Sequence, residues 1–384
     1  IIFLVISFSL SSSSAVTVNA EDNAALFSEA LNSYYSQDYQ KAVEGFENLL
    51  TVQDLNEEMM IDSHYYAAMS SVELYDTASA LEHLQALEEV GYQNGRLYWN
   101  LGQLYLNKER QFDSADFDTA LKYLNTASDL GINSLSFKRD LAYAYRETEQ
   151  IDKAESIYNE ILAENPTAED YLNIARIKEE KGELNKAVEF YESALMKDAE
   201  VPSIYLNLAQ LYYRLEYYNS AVEIYKQGVE FEPNFTPYYV GLGESYLALN
   251  NLNEAEKYLQ EAVELNPKLY YSYYLIAQIY VERANDNQAL NYYAEALKNN
   301  PDYVKAYLGE GKVHLENGDY YKAISRFSLA VEKNPEYAES HYYLGLAYYR
   351  SDMKEAAAAE FRKAVHIDNS YTEAREMLEQ IEGQ

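Results

Sequence analysis

The residues able to do chemistry lie scattered along this sequence. The five histidines are His64, His83, His314, His341 and His366. None belongs to an HExxH pattern, the spacing that sets two imidazoles on one helix face to hold zinc. His314 and His341 read as packing residues. No glycine-rich loop offers backbone amides to a phosphate, and no serine sits in a G-x-S-x-G turn that would expose its hydroxyl as a nucleophile. Asp113, Asp116 and Asp118 present carboxylates of the kind calcium favours. Their spacing is not that of an EF-hand and no glycine makes the turn, so they read as a solvated acidic loop. The absence of cysteine excludes thiol catalysis, disulfides and zinc-finger sites. The expectation is a chain that is no enzyme and needs no metal or cofactor.

If the chain binds rather than reacts, its charge limits what it binds. A net charge of −33 repels polyanions, so DNA, RNA and anionic membrane surfaces are excluded as partners. Nearly half the residues are apolar, while glycine and proline number only 14 and 7, a composition that fits a folded, helical chain. At the start, an apolar run from Ile1 to Leu10, a polar stretch from Ser11 to Ser14, and Val18-Asn19-Ala20 before Glu21-Asp22 follow the order of a secretory signal peptide cut after Ala20. The apolar run is about half the ~20 residues that spanning a bilayer requires. The expectation is a signal peptide over residues 1–20, truncated at its N-terminus, and an extracytoplasmic protein, periplasmic or secreted, with no stable membrane insertion after cleavage.

The elements that would position binding residues repeat. Pro233, Pro267, Pro301 and Pro335 follow one another at intervals of 34 residues, and Asn165-Pro166, Asn266-Pro267, Asn300-Pro301 and Asn334-Pro335 share the same dipeptide. A fixed period this long means a stacked array. Each proline is expected to separate two helices, with the preceding asparagine in a left-handed cap. On that period the chain divides into ten units, starting near Asn23, Ile61, Gly95, Leu135, Ala168, Pro202, Thr236, Tyr270, Val304 and Ala338.

The eighth position of every unit is Gly or Ala, from Ala30 and Ala68 to Gly311 and Gly345, and the twentieth is always Ala, from Ala42 to Ala357. Two antiparallel helices approach closely only where neither presents a large side chain, so these columns mark the crossing inside each hairpin. Four residues after the invariant Ala stands a large apolar residue, as at Phe46, Tyr225, Tyr293 and Phe327, on the face expected to pack on the next unit. Residues 21–371 thus read as the array and 372–384 as a capping helix, where the array is expected to end. A capping box at Ser370-Tyr371-Thr372-Glu373 would open that helix, and Ala374, Met377, Leu378 and Ile381 give it one apolar face.

This pattern resembles the tetratricopeptide repeat, whose motif the last unit follows with His341, Leu344, Gly345, Tyr348, Ala357, Phe361 and Ala364. Ser33 and Ser71 depart from it at its tyrosine position, and the third unit carries an insertion around Gln111 to Asp118. The resemblance implies an all-α fold, a right-handed superhelical α-solenoid of about ten hairpins plus a C-terminal capping helix. It also implies that the first helix of each unit lines an inner, concave groove.

On the positions the family uses for that groove, repeats three to six present Trp99, Asn100 and Gln103, then Arg139, Asp140, Tyr143 and Arg146, then Asn173 and Arg176, then Asn207, Gln210, Tyr213 and Arg214. Amides spaced one per repeat can hydrogen-bond an extended peptide, and arginine can fork onto a carboxylate. Further along, Tyr271, Tyr274, Gln278, Lys305, Leu308, Lys312, Tyr342 and Tyr349 make a mixed, aromatic wall. The reading is a non-enzymatic protein–protein interaction scaffold that binds a peptide segment or helix of another protein in this groove. The alternatives are an accessory subunit of an envelope enzyme or of an assembly or export machine, and glycan binding on the tyrosines.

Overall fold

The computed structural model describes residues 20–53, 55–106 and 116–383. The leader expected at residues 1–20, apart from Ala20, lies outside the described residues, and so does Asp113 of the acidic insertion. Among the described residues there are helices and turns but no strand, giving an all-α repeat solenoid. None of these helices is long and apolar enough to cross a membrane.

The chain falls into two compact units, one ending at Glu183 and the other starting at Leu184. In the first, α1 (Ala20–Tyr35), α2 (Tyr39–Leu50), α3 (Glu57–Glu73), α4 (Thr77–Glu89), α5 (Gly95–Leu106), α6 (Phe117–Asp129), α7 (Leu135–Glu147), α8 (Ile151–Glu164) and α9 (Ala168–Glu180) follow one another. The second holds α10 (Leu184–Lys197), α11 (Pro202–Arg214), α12 (Tyr218–Phe231), α13 (Thr236–Ala248), α14 (Leu252–Leu265) and α15 (Tyr270–Glu282). It continues with α16 (Asp286–Asn299), α17 (Val304–Glu316), α18 (Tyr320–Lys333), α19 (Ala338–Arg350), α20 (Lys354–Ile367) and α21 (Thr372–Glu382). Within each unit a helix packs on the one after it, most closely inside hairpins such as α5 with α6 and α15 with α16.

The small columns explain that closeness. Every alanine of the twentieth position, from Ala42 to Ala357, has no exposed surface. At the eighth position Gly243 lies so close to Leu259 of its own hairpin that an added Cβ would stand 2.5 Å from it. The large residue after the invariant Ala was expected to pack on the next repeat, and it does more than that. Leu259 and Phe327 fill their own hairpins against Gly243 and Gly311, while Tyr225 and Tyr293 press their phenol ends onto Gly241 and Gly309 of the following repeat. Those contacts lock neighbouring hairpins at backbone distance.

One backbone feature recurs where a hairpin turns. Gln37, Tyr75, Glu149 and Gly182 in the first unit, and Glu216, Asn250, Ala284, Gly318 and Asp352 in the second, have φ between 54° and 77°. A left-handed residue lets the next amides bond back to the helix end, as Glu149 N–H does to Arg146 O at 2.9 Å and Gln150 N–H to Tyr145 O at 2.8 Å. Asp38, Asp76, Asp116, Asn251 and Asn285 then cap the second helix, each accepting an amide three residues on.

Two expectations about the turns between repeats are corrected. Asn266, Asn300 and Asn334 are extended, with φ of −138°, −140° and −144°, and not left-handed. The following proline forces this, and each asparagine side chain accepts the amide two residues on at 3.1 Å, closing a local turn. No capping box opens α21. Ser370 Oγ donates instead to Asp368 at 2.6 Å, and Tyr371 at the N-cap makes no side-chain bond. The apolar face of α21 packs all the same, with Ala374 buried and Met377, Leu378 and Ile381 against the Phe361 cluster.

Candidate functional site

The groove residues divide between the two units, those from Trp99 to Arg176 in the first and Asn207, Gln210 and Tyr213 in the second. In the first unit, α5 and α7 are joined through one carboxylate. Trp99 Nε1 and Gln103 Nε2 both donate to Asp140 Oδ2, at 2.6 and 2.8 Å. Burial pushes the Asp140 carboxyl up, against the pull of these two bonds. The Asn100 amide meets Met69 Sδ at 3.0 Å.

Arg139 is committed to the fold. Its Nε lies 2.9 and 3.1 Å from the two oxygens of Asp170, and its Nη2 donates to Oδ2 at 2.8 Å. Asp170 is only 1% exposed, and with Thr167 it forms the capping box that opens α9. Burial raises its carboxyl, but Arg139 and Thr167 outweigh that and hold it below the usual range.

Arg146 and Arg176 differ from it. Arg146 stacks over Tyr143 at 5.3 Å and donates to Asn173 at 3.0 Å and Glu147 at 2.6 Å. Arg176 makes no hydrogen bond or ion pair among the described residues. Both line a cleft of about 840 Å³ with Glu147, Glu149, Ile151, Glu179 and Glu180.

In the second unit Asn207 and Gln210 make no hydrogen bond among the described residues, and Tyr213 packs edge-on to Tyr218 at 5.4 Å. Further along, Tyr271 donates to Glu244 at 2.7 Å and stacks on Tyr274 at 6.2 Å, while Gln278 donates to the Tyr274 hydroxyl at 3.0 Å. Burial pushes the Glu244 carboxyl up despite the bond from Tyr271. Lys312 lies 2.9 Å from Glu339 and 4.2 Å from the centre of the Tyr343 ring.

Among the described residues no group of three or more His, Asp or Glu side chains is placed to hold a metal ion. Asp116 is spent on capping α6, accepting from the Thr119 amide and hydroxyl at 2.9 and 2.6 Å. Two histidine arrangements go beyond the sequence reading. His341 is a packing residue with both ring nitrogens bonded, Nδ1 to Glu360 at 2.6 Å and Nε2 to the Pro335 carbonyl at 2.9 Å. His64 and His83 meet, Nδ1 to Nδ1, at 3.1 Å.

Residues 274–331 and 308–372 match the family model described as tetratricopeptide repeat. Over residues 274–372 the chain is thus similar to the tetratricopeptide repeat. Residues 180–262 also match the model of anaphase-promoting complex, cyclosome, subunit 3. No curated protein matches the chain in sequence. Among solved structures it is similar to a tetratricopeptide repeat protein from Parabacteroides merdae, 20% identical, over 65% of this chain and 98% of that one, with a TM-score of 0.51. It is also similar to yeast Tom70, 13% identical over 94% and 95% of the two chains with a TM-score of 0.48. A third is YrrB, a TPR protein with an unusual peptide-binding site, 22% identical over 48% and 96% with a TM-score of 0.39. What is shared at such identities is the fold.

The functional side chains that stand outside the expected groove set are mostly carboxylates. Asp170 was findable, since Thr167 and Asp170 stand at capping-box spacing. Glu244 carries no such signal, being one acidic residue among the tyrosines of α13 and α15. The His64–His83 pair had a signal in the period itself. The residues are 19 apart, the separation that also joins His341 to Glu360.

Proposed function

We propose that the protein is a non-enzymatic scaffold that holds a peptide segment or helix of a partner protein against the first helices of its repeats. The observation that carries this reading is the cleft of about 840 Å³ beside Arg146 and Arg176. Arg176 brings to it a guanidinium with no hydrogen bond or ion pair among the described residues, in a chain whose other groove arginines are engaged. A fork of this kind suits a carboxylate of a bound segment. In the second unit the unengaged amides of Asn207 and Gln210 can serve a peptide backbone. Arg139 is left out of the binding set, because its fork is filled by Asp170.

A photo-reactive phenylalanine placed at Arg176 is expected to cross-link a partner polypeptide, whereas the same residue at the exposed Asn159 of α8 is not. Cross-links from position 159 alone would place the contact on the other face. Export is part of the proposal and rests on residues 1–20 alone. Recovery of the native protein with Glu21 as its first residue, from an envelope or secreted fraction, would support it, and a retained leader in the cytoplasm would sink it.

A further inference from the structure

Resting on the scaffold reading, we infer that the inner wall of the second unit has a built subsite for a basic side chain, lysine or arginine, of the bound segment, centred on Glu244. The carboxyl of Glu244 is largely withdrawn from water, and the one hydrogen bond it receives comes from Tyr271 at 2.7 Å. Among the described residues no cation pairs with it. A desolvated carboxylate lacking a counter-charge is costly, and its environment is incomplete without one.

The surroundings are what a cation needs. Tyr271 holds the Glu244 carboxyl through its hydroxyl at 2.7 Å, and both Tyr271 and Tyr213, whose phenol is pushed up by burial and by Glu244, are part-exposed. Beneath them Tyr225, only 3% exposed, packs its phenol end onto Gly241, one turn before Glu244 on α13. Aromatic faces beside a carboxylate attract ammonium and guanidinium groups, more strongly when water is excluded.

The same wall holds a carboxylate, a cation and a tyrosine face together, with the positions exchanged. Lys312 and Glu339 occupy, two repeats later, the positions of Glu244 and Tyr271. There Lys312 is 2.9 Å from Glu339 and 4.2 Å from the centre of the Tyr343 ring, and Tyr337 donates to Glu339 at 2.8 Å. At Lys312 the chain supplies its own cation to a carboxylate and a tyrosine face. At Glu244 it supplies the carboxylate and the tyrosines, and the partner brings the charge. A net charge of −33 draws basic segments toward the chain from a distance.

The test uses the full chain with carbon-13 in its tyrosine rings and two probes, acetyl-arginine methylamide and its neutral isostere, acetyl-citrulline methylamide. The arginine probe is expected to shift the Tyr213 and Tyr271 ring signals and to bind about tenfold or more tightly than the citrulline probe. Glu244→Gln, which can still accept from Tyr271, is expected to abolish the difference. Tyr213→Leu, which leaves the Tyr271–Glu244 bond untouched, is expected to weaken the arginine probe only. Equal binding of the two probes, no shift with either, or discrimination that survives Glu244→Gln would overturn the subsite. Cross-linking at Arg176 is read in the other unit, so loss of this subsite and loss of the scaffold reading give different results.

Discussion

Replacing Arg139 by alanine tests whether this arginine is a ligand of the groove or a clamp of the fold. The substitution deletes the charged hydrogen bonds of 2.8 to 3.1 Å that Arg139 gives Asp170 and leaves that carboxylate, 1% exposed, with Thr167 alone. Stranding one member of a fully buried pair costs about 3–5 kcal/mol. The Arg139 side chain is 32% exposed and Thr167 still donates to Asp170, so the expected loss is smaller, about 2–3 kcal/mol.

The pH dependence sharpens the expectation. The folded carboxyl of Asp170 lies below its unfolded value, so its stabilisation is present above the unfolded pKa of about 4 and is lost as pH falls through the folded pKa. Without Arg139, Thr167 alone opposes burial, so the carboxyl rises from its wild-type value and less of this stabilisation remains. The gap between wild type and Arg139→Ala should therefore be widest near neutral pH and close as the pH drops toward about 3. Urea unfolding followed by the fluorescence of Trp99, the single tryptophan of the chain and a member of the first unit, reads it directly. A variant as stable as wild type at neutral pH, with partner binding abolished, would refute the clamp and return Arg139 to the groove.

Three further outcomes can be checked. Ala284 sits at φ 54° in a hairpin turn, and Ala284→Gly should stabilise the second unit by up to about 1 kcal/mol in urea melts, because the strain removed exceeds the added freedom of the unfolded chain. Gly309→Ala should destabilise by about 1–3 kcal/mol despite the better helix propensity of alanine, since its Cβ meets the Tyr293 ring; adding Tyr293→Leu should restore part of the loss. Burial lowers the pKa of both His64 and His83, so their contribution is intact above the unfolded pKa of about 6.5 and lost as pH falls through the lower folded value. Hydrogen-exchange protection in α3 and α4, taken relative to the intrinsic rate at each pH, should fall on that descent, and less so in His83→Gln.

The fold was legible because its closest contacts admit only certain residue types. Where helices cross at backbone distance only Gly or Ala fits, so Ala42 or Gly311 announces the crossing by type alone. The left-handed turns were hidden for the opposite reason. Gly182, Gly318 and Asn250 advertise a positive φ, but Tyr75, Glu149 and Ala284 do not, and the hairpin imposes it on them. For the candidate site, the period fixes the column a residue occupies and leaves open what its head group touches. Nothing in the sequence separates Arg139, whose guanidinium forks onto a carboxylate 31 residues away, from Arg176, which has no such partner among the described residues. Such partners depend on side-chain reach across a seam, and the array repeats its backbone more faithfully than its rotamers.

The seams of the second unit alternate in kind. Going along it, Tyr225 rests on Gly241, Leu259 clusters with Leu275, Tyr293 rests on Gly309, and Phe327 stacks on Tyr343. Large on small alternates with large on large, so one repeat cannot be exchanged for its neighbour without misfit. Excising residues 270–303 would set Leu259 opposite Gly309 and leave a void. Excising 236–303 would set Tyr225 on Gly309, renewing the joint that Tyr293 makes there now. A pair of hairpins is thus the smallest stretch here whose removal leaves a matched seam.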